Sequence, residues 1–196
     1  TTSSRISTCL SLSPEDTLAV GLEKTKGHHG VHVYDRPFEL MSYRSYLKND
    51  HIVSLKFIAS ASKSLLVGTS NGLKELDLRS RSPTVFSITT SFAEYIDSGP
   101  FSDHFFSSVN SKNGNLAIWD RRYIKKHNDG NDVFKETNIL VLPKVFTQET
   151  YSLKNAVPCY RFSPWNYNEL TTLHQDSKTS SYIKRWSFGY EVQQAH

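Results

Sequence analysis

The side chains in this sequence that could act as acids, bases or metal ligands are few and scattered. His104, His174 and Asp176 could supply general acid–base chemistry, and His28-His29 is an adjacent histidine pair. No nucleophile elbow, glycine-rich phosphate loop or pair of carboxylates accompanies them. No Cys, Asp or Glu stands at ligand spacing from the histidine pair, so we assign that pair to a solvated loop. The sequence therefore predicts no catalytic residue, no cofactor and no metal site, and we do not expect an enzyme.

Side chains suited to binding another protein are easier to find. Arg79 and Arg122 each stand two residues after an aspartate that ends a strand-like run, and Arg121 precedes Arg122. Equivalent offsets should bring Arg79 and Arg122 to the same rim of the molecule. Trp165 follows a Ser-Pro pair in a predicted turn, where a half-exposed tryptophan can anchor a partner. We predict partner binding at these four residues, with a solvated or structural role as the alternative for each.

Charge does not favour a nucleic-acid partner. The chain has 23 basic and 19 acidic residues among 196, a net charge of only +4. Its one dense basic cluster, residues 121–127, falls in a predicted loop instead of spreading over one face. We therefore expect no nucleic-acid binding.

Compartment and topology follow from what the sequence lacks. Its first residues have no signal-peptide layout, and no apolar run approaches the roughly 20 residues that cross a bilayer. Cys9 and Cys159 lie in apolar strand-like runs; parity allows a disulfide, but we favour buried free thiols. The sequence begins at Thr1 without a methionine, which we take to indicate part of a longer protein. We expect a cytosolic chain that meets membranes only peripherally.

The elements that must position these residues repeat along the chain. Trp119-Asp120 closes a strand-like run after the turn pair Asn113-Gly114, and the same shape recurs at 70–77 and 30–35. The closing aspartates, Asp35, Asp77 and Asp120, follow one another at intervals of 42 and 43 residues. A period of about 40–45 residues marks the four-stranded blade of a WD-repeat propeller. Helical periodicity is almost absent, so we predict an all-β fold of the WD-repeat β-propeller type.

Four blades can be placed in this way. In the fourth, Ser187 takes the aspartate position 67 residues after Asp120, about 25 more than one period. The excess belongs to a long polar loop in the third blade. Closed propellers of this type are usually larger, so we expect part of a larger ring. The predicted limits are 5–44, 49–91, 92–150 with the loop 123–137, and 155–196.

A partial ring leaves two flanks uncovered. We predict that the exposed faces carry Leu10, Leu12, Leu18 and Val20 in the first blade, and Tyr160, Phe162, Leu170 and Trp186 in the fourth. The fourth strand of the first blade is predicted at 38–43. None of the blades has the Gly-His that begins many WD repeats, so apolar contacts should replace part of the usual buried polar network. Trp119 and Trp186 are expected in the core.

The Asp-x-Arg spacing suggests one specific kind of partner. Asp77-Leu78-Arg79 and Asp120-Arg121-Arg122 resemble the short motif with which WD-repeat substrate receptors of cullin ubiquitin ligases hold their adaptor. The motif is common among WD proteins, so it supports only an alternative hypothesis.

The order of the segments carries a more specific resemblance. It is similar to the N-terminal propeller of the Mio (missing oocyte) family, a subunit of the SEA complex and of its animal GATOR counterpart. Residues 123–151 are longer than that family's pattern, and the divergence suggests a fungal member. The matching segments are Leu10–Pro14 with Leu18–Lys24, Asn49–Arg79, Gly114–Arg122 and Phe162–Leu173.

The resemblance implies a non-catalytic scaffold in amino-acid signalling to the TOR kinase complex. It implies partners among SEA/GATOR-type subunits, including a small Seh-type propeller. Location would be the cytosolic face of the vacuole or lysosome membrane, reached only through the complex. The α-solenoid and the RING-like zinc region of the family are not within these residues, so no zinc site carries over.

Overall fold

A computed structural model describes residues 7–25, 28–35, 43–58, 61–99, 104–110, 115–124, 139–142, 159–163, 165–166, 169–175 and 181–187. The backbone of these residues is almost wholly strand. The one helix among them is a single 3-10 turn, η1, at Arg121–Tyr123. Within the described ranges, no helix has the length and apolar character to span a bilayer.

Within the described residues, fifteen strands form four separate antiparallel sheets, each built from strands consecutive in sequence. Sheets 1 to 3 have four strands, and sheet 4 has three. Sheet 1 contains β1 (Ser7–Leu12), β2 (Leu18–Thr25), β3 (His28–Tyr34) and β4 (Arg44–Tyr46). Sheet 2 contains β5 (Ile52–Ile58), β6 (Ala61–Thr69), β7 (Gly72–Asp77) and β8 (Thr84–Thr89). Sheet 3 contains β9 (Glu94–Ser98), β10 (Phe105–Asn110), β11 (Asn115–Asp120) and β12 (Ile139–Leu142), and sheet 4 contains β13 (Cys159–Phe162), β14 (Glu169–Gln175) and β15 (Ser181–Ser187).

Tight turns join the strands where the sequence places Asn-Gly and Ser-Pro pairs. Gly72 begins β7 with φ of +143°, in the region that favours glycine, and Thr69 Oγ1 accepts from the Asn71 N–H. In the β1–β2 turn, Ser13 Oγ accepts from the Thr17 N–H at 3.0 Å. The turn chemistry read from the sequence therefore sets the strand limits in sheets 1 and 2.

Two local predictions for the first sheet differ from the structure. His28-His29 is the beginning of β3 and not a loop, because β2 and β3 pair as far as Thr25 with His28. The fourth strand is Arg44–Tyr46, just after the run 38–43 predicted to form it. Of that run, only Tyr43 lies within the described residues, and it is not in a strand.

The sheets pack face to face in chain order. We call the face of each sheet that meets the following sheet its forward face, and the opposite face its rear face. The first strands contact one another in sequence, β1 with β5, β5 with β9 and β9 with β13. These first strands therefore form the inner edge of the stack, as in a propeller whose innermost strands line the axis.

Each of the three sheet-to-sheet interfaces has its own apolar core. Sheets 1 and 2 enclose a cluster that includes Ala19, Val31, Val33, Ile52, Phe57, Leu65, Val67 and Leu76. Sheets 2 and 3 enclose Leu66, Leu73, Phe86, Ile88, Phe92, Phe106, Ala117 and Trp119. Sheets 3 and 4 enclose Val109, Leu116, Ile118, Tyr160, Phe162 and Leu170, with Tyr95 and Trp186 at the margin. Alternate residues of one strand thus enter different cores, and β5 and β6 are accordingly buried on both faces.

Trp119 is fully buried, which confirms its predicted place in the core. Its ring stacks on Phe106 with centroids 5.9 Å apart, and its Nε1 donates to Ser108 Oγ at 2.8 Å. Ser108 Oγ in turn donates to the Phe92 carbonyl at 3.0 Å. The series of hydrogen bonds that begins at the Trp119 ring therefore ends at a backbone carbonyl. This blade has no Gly-His pair that could extend the series. Trp186 is half-buried at the edge of the next core and donates to Thr172 Oγ1 at 2.9 Å.

The outer faces of the stack agree with the prediction at one end only. Of the four residues predicted on the uncovered face of sheet 1, Leu10 and Leu12 are exposed, while Leu18 and Val20 are half-buried. The prediction for sheet 4 is wrong, because Tyr160, Phe162 and Leu170 are buried against sheet 3 and Trp186 packs beside them. The exposed forward face instead carries residues from the other side of the strands: Arg161, Thr171, Leu173, Ile183 and Arg185.

Polar contacts near the inner edge connect three sheets. The Asp97 carboxylate in β9 is buried, and the Lys56 ammonium from sheet 2 lies 2.7 Å from its Oδ1. Its Oδ2 accepts from the Phe162 N–H of sheet 4 at 3.4 Å. One carboxylate of the middle sheet therefore holds both of its neighbours.

Several further predictions fall partly outside the described residues. Cys9 is a free, half-buried thiol whose pKa is raised by burial, while nothing is described of the Cys159 side chain. The loop 123–137 begins in η1, and Ile124 is buried behind it. The rest of that loop is outside the described residues. The blade limits stay a prediction.

Candidate functional site

The candidate binding surface is the rim where the third strand of each sheet ends. We call it the strand-end rim. It comprises the closing residues Asp35, Asp77 and Asp120 and the described arginines that bind or follow these aspartates. In each of sheets 1 to 3 the third strand pairs with the beginning of the second strand at this end, so Asp77 and Asp120, and Asp35 one residue after β3, take corresponding positions in successive sheets.

The Asp-x-Arg units of sheets 2 and 3 have the same geometry. Asp77 Oδ1 accepts from the Arg79 N–H at 3.0 Å and from its Nε at 2.9 Å, and Oδ2 accepts from Nη2 at 2.9 Å. Asp120 Oδ1 accepts from the Arg122 N–H and Nε at 3.0 Å, and Oδ2 from Nη2 at 2.5 Å. In each case the aspartate fixes both the turn after the strand and the guanidinium. Such a pair presents a planar donor group whose orientation is already set.

Both guanidinium groups remain largely in solvent. The side chains of Arg79 and Arg122 are 76% and 53% exposed. The hydrogen bonds from Arg79 hold the pKa of Asp77 below its usual range, and the Asp77 carboxylate raises the pKa of Arg79. Arg122 also lies over the Phe105 ring, 5.5 Å from its centroid. These two arginines can therefore recognise carboxylates or carbonyl groups of a partner without first losing much side-chain freedom.

Sheet 1 uses its closing aspartate differently. Asp35 accepts from Arg44 Nη2 at 2.7 Å, and Arg44 Nη1 donates to the Leu78 carbonyl of sheet 2 at 2.7 Å. The Lys63 ammonium lies 3.8 Å from the same aspartate. This arginine joins two sheets instead of extending from the rim.

Arg121 points into the stack, unlike its neighbour Arg122. Its Nε donates to Oε2 of Glu75 at 3.1 Å, and its Nη2 pairs with Oε1. Glu75 is only 3% exposed, and the Ser64 hydroxyl also donates to it. The Arg121 side chain is 21% exposed. Its geometry is that of a bond between sheets 2 and 3, and a partner would reach only its outer part.

Trp165 is the most exposed large apolar side chain among the described residues, at 89%. It occupies the β13–β14 turn, where Ser163 Oγ accepts from the backbone N–H groups of Trp165 and Asn166 at 3.2 and 3.1 Å. The turn lies at the same end of the sheets as the strand-end rim, since β14 begins where β15 ends. It also borders an open recess of about 340 Å³ on the forward face of sheet 4. Of the four predicted residues, Arg79, Arg122 and Trp165 are thus exposed at one end of the stack. Arg121 contributes mainly to the interface between sheets 2 and 3.

The residues considered for acid–base or metal chemistry are not assembled into a site by the described part of the chain. His104 is exposed immediately before β10, and the side chains of His174 and Asp176 are outside the described residues. No group of three or more His, Cys, Asp or Glu side chains with metal-binding geometry occurs among the described residues.

Sequence reasoning missed the charged residues that hold the sheets together. Glu75 lies two residues after Leu73 in β7, so the two side chains are on the same face of the sheet. This position could have indicated a carboxylate that faces the interior. Asp97 gave no such signal, because its partners come from sheets 2 and 4, and the bond from Arg44 to the Leu78 carbonyl of sheet 2 gave none for the same reason. Arg185, which binds Glu169 through Nε at 2.9 Å, was assigned no role.

The sequence is similar to two yeast proteins. It is 32% identical over 187 residues, 92% of this chain, to SEH-associated protein 4 of Saccharomyces cerevisiae. It is 26% identical over 179 residues, 87% of this chain, to an uncharacterized WD repeat-containing protein of Schizosaccharomyces pombe. The chain spans only 17% and 18% of the length of these relatives. No protein-family model matches the sequence.

Two solved structures superpose on most of this chain, and one of them is a β-propeller domain. The β-propeller domain of Myceliophteria thermophila Cps50 (Swd1) superposes with a TM-score of 0.55 at 19% identity, over 87% of this chain and 50% of that one. Apo AztD from Citrobacter koseri superposes with a TM-score of 0.52 at 12% identity, over 86% of this chain and 40% of that one. The predicted fold class is confirmed: the chain is all-β, of the WD-repeat β-propeller type, and its four sheets correspond to about half of the Swd1 propeller domain.

Proposed function

We propose that this chain is part of a non-catalytic scaffold propeller in a Mio-like subunit of the SEA/GATOR complex. The observation that carries the proposal is the 32% identity, over 92% of the chain, to a protein named for its association with SEH. The ordered blade segments described above support the same assignment. In this proposal the propeller holds neighbouring subunits, among them a small Seh-type propeller, and contributes to amino-acid signalling to the TOR kinase complex.

The strand-end rim is the contact surface that we propose for those subunits. Arg79 and Arg122 are exposed and held by their own aspartates, so a partner can bind them at a small entropic cost. Trp165 adds a large exposed ring at the same end of the sheets. Arginine and tryptophan are the residue types that most often dominate the binding energy of protein interfaces.

Purification of the tagged full-length protein tests the assignment. We expect SEA-type subunits, including a Seh-type propeller, to co-purify. If they are absent under mild extraction, the assignment is wrong. A fluorescent tag should place the protein at the vacuolar surface, and loss of its partner subunits should release it to the cytosol.

Charge reversal on the rim tests the contact surface separately. Arg79→Glu with Arg122→Glu should lower recovery of the partner subunits by about tenfold or more, as expected for residues that dominate an interface. Arg81→Glu is the matched control, because Arg81 is an exposed arginine next to the motif but is not part of it. Equal recovery from the two variants would exclude these arginines from the contact.

The same geometry supports a second candidate, a substrate receptor of a cullin ubiquitin ligase. Two successive Asp-x-Arg units with the same hydrogen bonds are the observation that favours it. In that case the tagged protein should capture a cullin adaptor, and Arg79→Ala with Arg122→Ala should abolish this capture. Recovery of SEA-type subunits without an adaptor would decide against this candidate.

A further inference from the structure

Three Ser-Pro pairs occur in the sequence, and the structure places their serine hydroxyls in different surroundings. Ser13 is buried, and its Oγ accepts from the backbone N–H groups of Glu15 and Thr17 at 3.2 and 3.0 Å. Ser163 is half-buried, and its Oγ accepts from two backbone N–H groups of the β13–β14 turn. Both of these hydroxyls therefore hold a turn in place.

Ser82, the serine of the remaining pair, differs in both respects. It is exposed, and its Oγ makes no hydrogen bond within the described part of the chain. Its backbone N–H donates to Ser80 Oγ at 3.1 Å, so another hydroxyl holds this turn. The Ser82 hydroxyl is therefore accessible and can be modified without breaking a contact of the fold.

Ser82 lies in the turn from β7 to β8, at the strand-end rim. The Asp77 N–H donates to the Pro83 carbonyl at 2.7 Å and closes this turn at its base. Between these two residues, Arg79 and Arg81 are both exposed. Asp77 holds the Arg79 guanidinium, whereas Arg81 forms no ion pair with any described residue. The turn therefore presents to solvent a serine that is followed by proline and preceded by two guanidinium groups.

Protein kinases bind the acceptor serine in an exposed segment, and one large class of them requires a proline directly after it. In the reaction the serine Oγ attacks the γ-phosphorus of ATP, and the new O–P bond forms as the bond from phosphorus to ADP breaks. The hydroxyl proton passes to the catalytic base of the kinase. Of the three Ser-Pro pairs, only the pair at Ser82 offers such an enzyme an exposed hydroxyl without a hydrogen bond.

A phosphate at Ser82 would change the charge of the rim. Phosphoserine carries a charge of about −1.5 to −2 and three strong acceptor oxygens. The turn has two arginines and one aspartate, so it is positive without the phosphate and negative with it. The Arg79 side chain is 76% exposed, so phosphate oxygens can bind the guanidinium donors that face solvent. A partner at the rim would use the same donors.

We propose that Ser82 is a phosphorylation site for a proline-directed protein kinase, and that its phosphate competes with the partner subunit for Arg79. The second half rests on the proposed function, because it takes the strand-end rim as the contact surface. The modification itself depends only on the exposed Ser82-Pro83 pair. Phosphorylation thus weakens the contact, and removal of the phosphate restores it.

Phosphopeptide mapping tests the modification, in full-length protein purified with phosphatase inhibitors from growing and from amino-acid-starved cells. Ser82 should carry phosphate in at least one of the two cultures, and Ser13 should carry none. Pro83→Ala should lower the phosphate at Ser82 at least about tenfold, since it removes the proline but keeps the carbonyl that accepts from Asp77. The proposal is overturned if Ser82 lacks phosphate in both cultures, if Pro83→Ala has no effect, or if Ser13 is phosphorylated to the same extent.

Capture of the partner subunits tests the competition. Purified full-length protein is treated with ATP and a mitogen-activated protein kinase, which is proline-directed, and is then mixed with the SEA-type subunits. The treatment should lower their capture at least about tenfold, because the phosphate opposes the acidic groups that Arg79 would bind. Ser82→Ala, treated in the same way, is the control for phosphate at other sites. Equal loss from both proteins refutes the competition, and so does capture that the treatment leaves unchanged.

Arg81→Glu separates the effect of charge from that of phosphate binding, since it also makes the turn negative but adds no phosphate. It should lower capture less than phosphorylation does, and an equal loss refutes competition for the Arg79 guanidinium. If Arg79→Glu with Arg122→Glu leaves capture unchanged, the strand-end rim is not the contact surface and the competition falls with it. The mapping decides the modification at Ser82 independently of that result.

Discussion

Replacement of Arg121 with alanine tests the bond between sheets 2 and 3. The Glu75 carboxylate is 3% exposed and accepts from Arg121 Nε at 3.1 Å. Without the guanidinium, this charge stays buried beside the Ser64 hydroxyl and the apolar side chains of two sheets. Water cannot replace the lost donors fully, because the surrounding core is closed.

Removal of one partner from a buried ion pair costs about 3–5 kcal/mol of the free energy of unfolding. Arg121 is 21% exposed, so some water reaches its side of the pair. We therefore expect the lower end of that range, about 3 kcal/mol. Arg122→Ala is the matched control. Its pair with Asp120 lies at the surface, where an ion pair contributes about 0–1 kcal/mol.

Urea unfolding of the full-length protein, followed by tryptophan fluorescence, measures the difference. Trp119 lies in the same interface as the ion pair and reports its opening. The double variant Glu75→Leu with Arg121→Met should recover most of the lost stability, because it replaces both charges with apolar groups. If Arg121→Ala costs no more than Arg122→Ala, the buried pair does not stabilise the interface and the reasoning is refuted.

Three further variants probe other contacts. Tyr160→Phe should cost about 1–2 kcal/mol in thermal unfolding, because the buried Tyr160 hydroxyl donates to the Tyr95 and Ser107 carbonyls and the variant removes that donor. An unchanged midpoint would show that the hydroxyl is dispensable. Gly68→Ala should cost about 1–3 kcal/mol, since its methyl group would lie 1.8 Å from the carbonyl oxygen of Ala93, the residue just before β9. A fully stable variant would mean that the backbone before β9 can move away without cost. The hydrogen bonds from Arg185 lower the pKa of Glu169. The pair therefore stabilises the fold at pH values above the ordinary carboxyl pKa of about 4.3. This contribution is lost as the pH falls through the lowered pKa of Glu169. Carboxyl NMR titration should show the lowered pKa and its return toward the ordinary value in Arg185→Ala; no change between the two proteins would contradict the pairing.

The strand pattern was predictable because the repeat is visible in the sequence. Asp35, Asp77 and Asp120 close equivalent strands, and the apolar run before Asp120 gave the buried Trp119. Alternation also identified which residues share a face. It could not tell which of two faces meets which neighbour. That ambiguity explains the error at Phe162, which was predicted on the outer face of sheet 4 but is buried against sheet 3.

The candidate site was predictable only in part for a related reason. Sequence spacing placed Arg79 and Arg122 at equivalent strand ends, because their offset from the aspartate is the same. The adjacent Arg121 could not be separated from them by spacing alone. Its direction depends on Glu75, which lies 46 residues earlier in another sheet. Which residues of two sheets meet depends on the angle at which the sheets pack. The residue spacing within one repeat contains no information about that angle.

The Asp97 carboxylate has a consequence for how the stack comes apart. In most repeat arrays each unit interacts only with its neighbours, so stability is nearly a sum of adjacent terms and the end units can fray one by one. Asp97 binds Lys56 of sheet 2 and the Phe162 N–H of sheet 4 at once, so one carboxylate contributes to two successive interfaces. Replacement of Asp97 should therefore weaken both of these interfaces together, whereas replacement of a residue that contacts a single neighbouring sheet weakens only one.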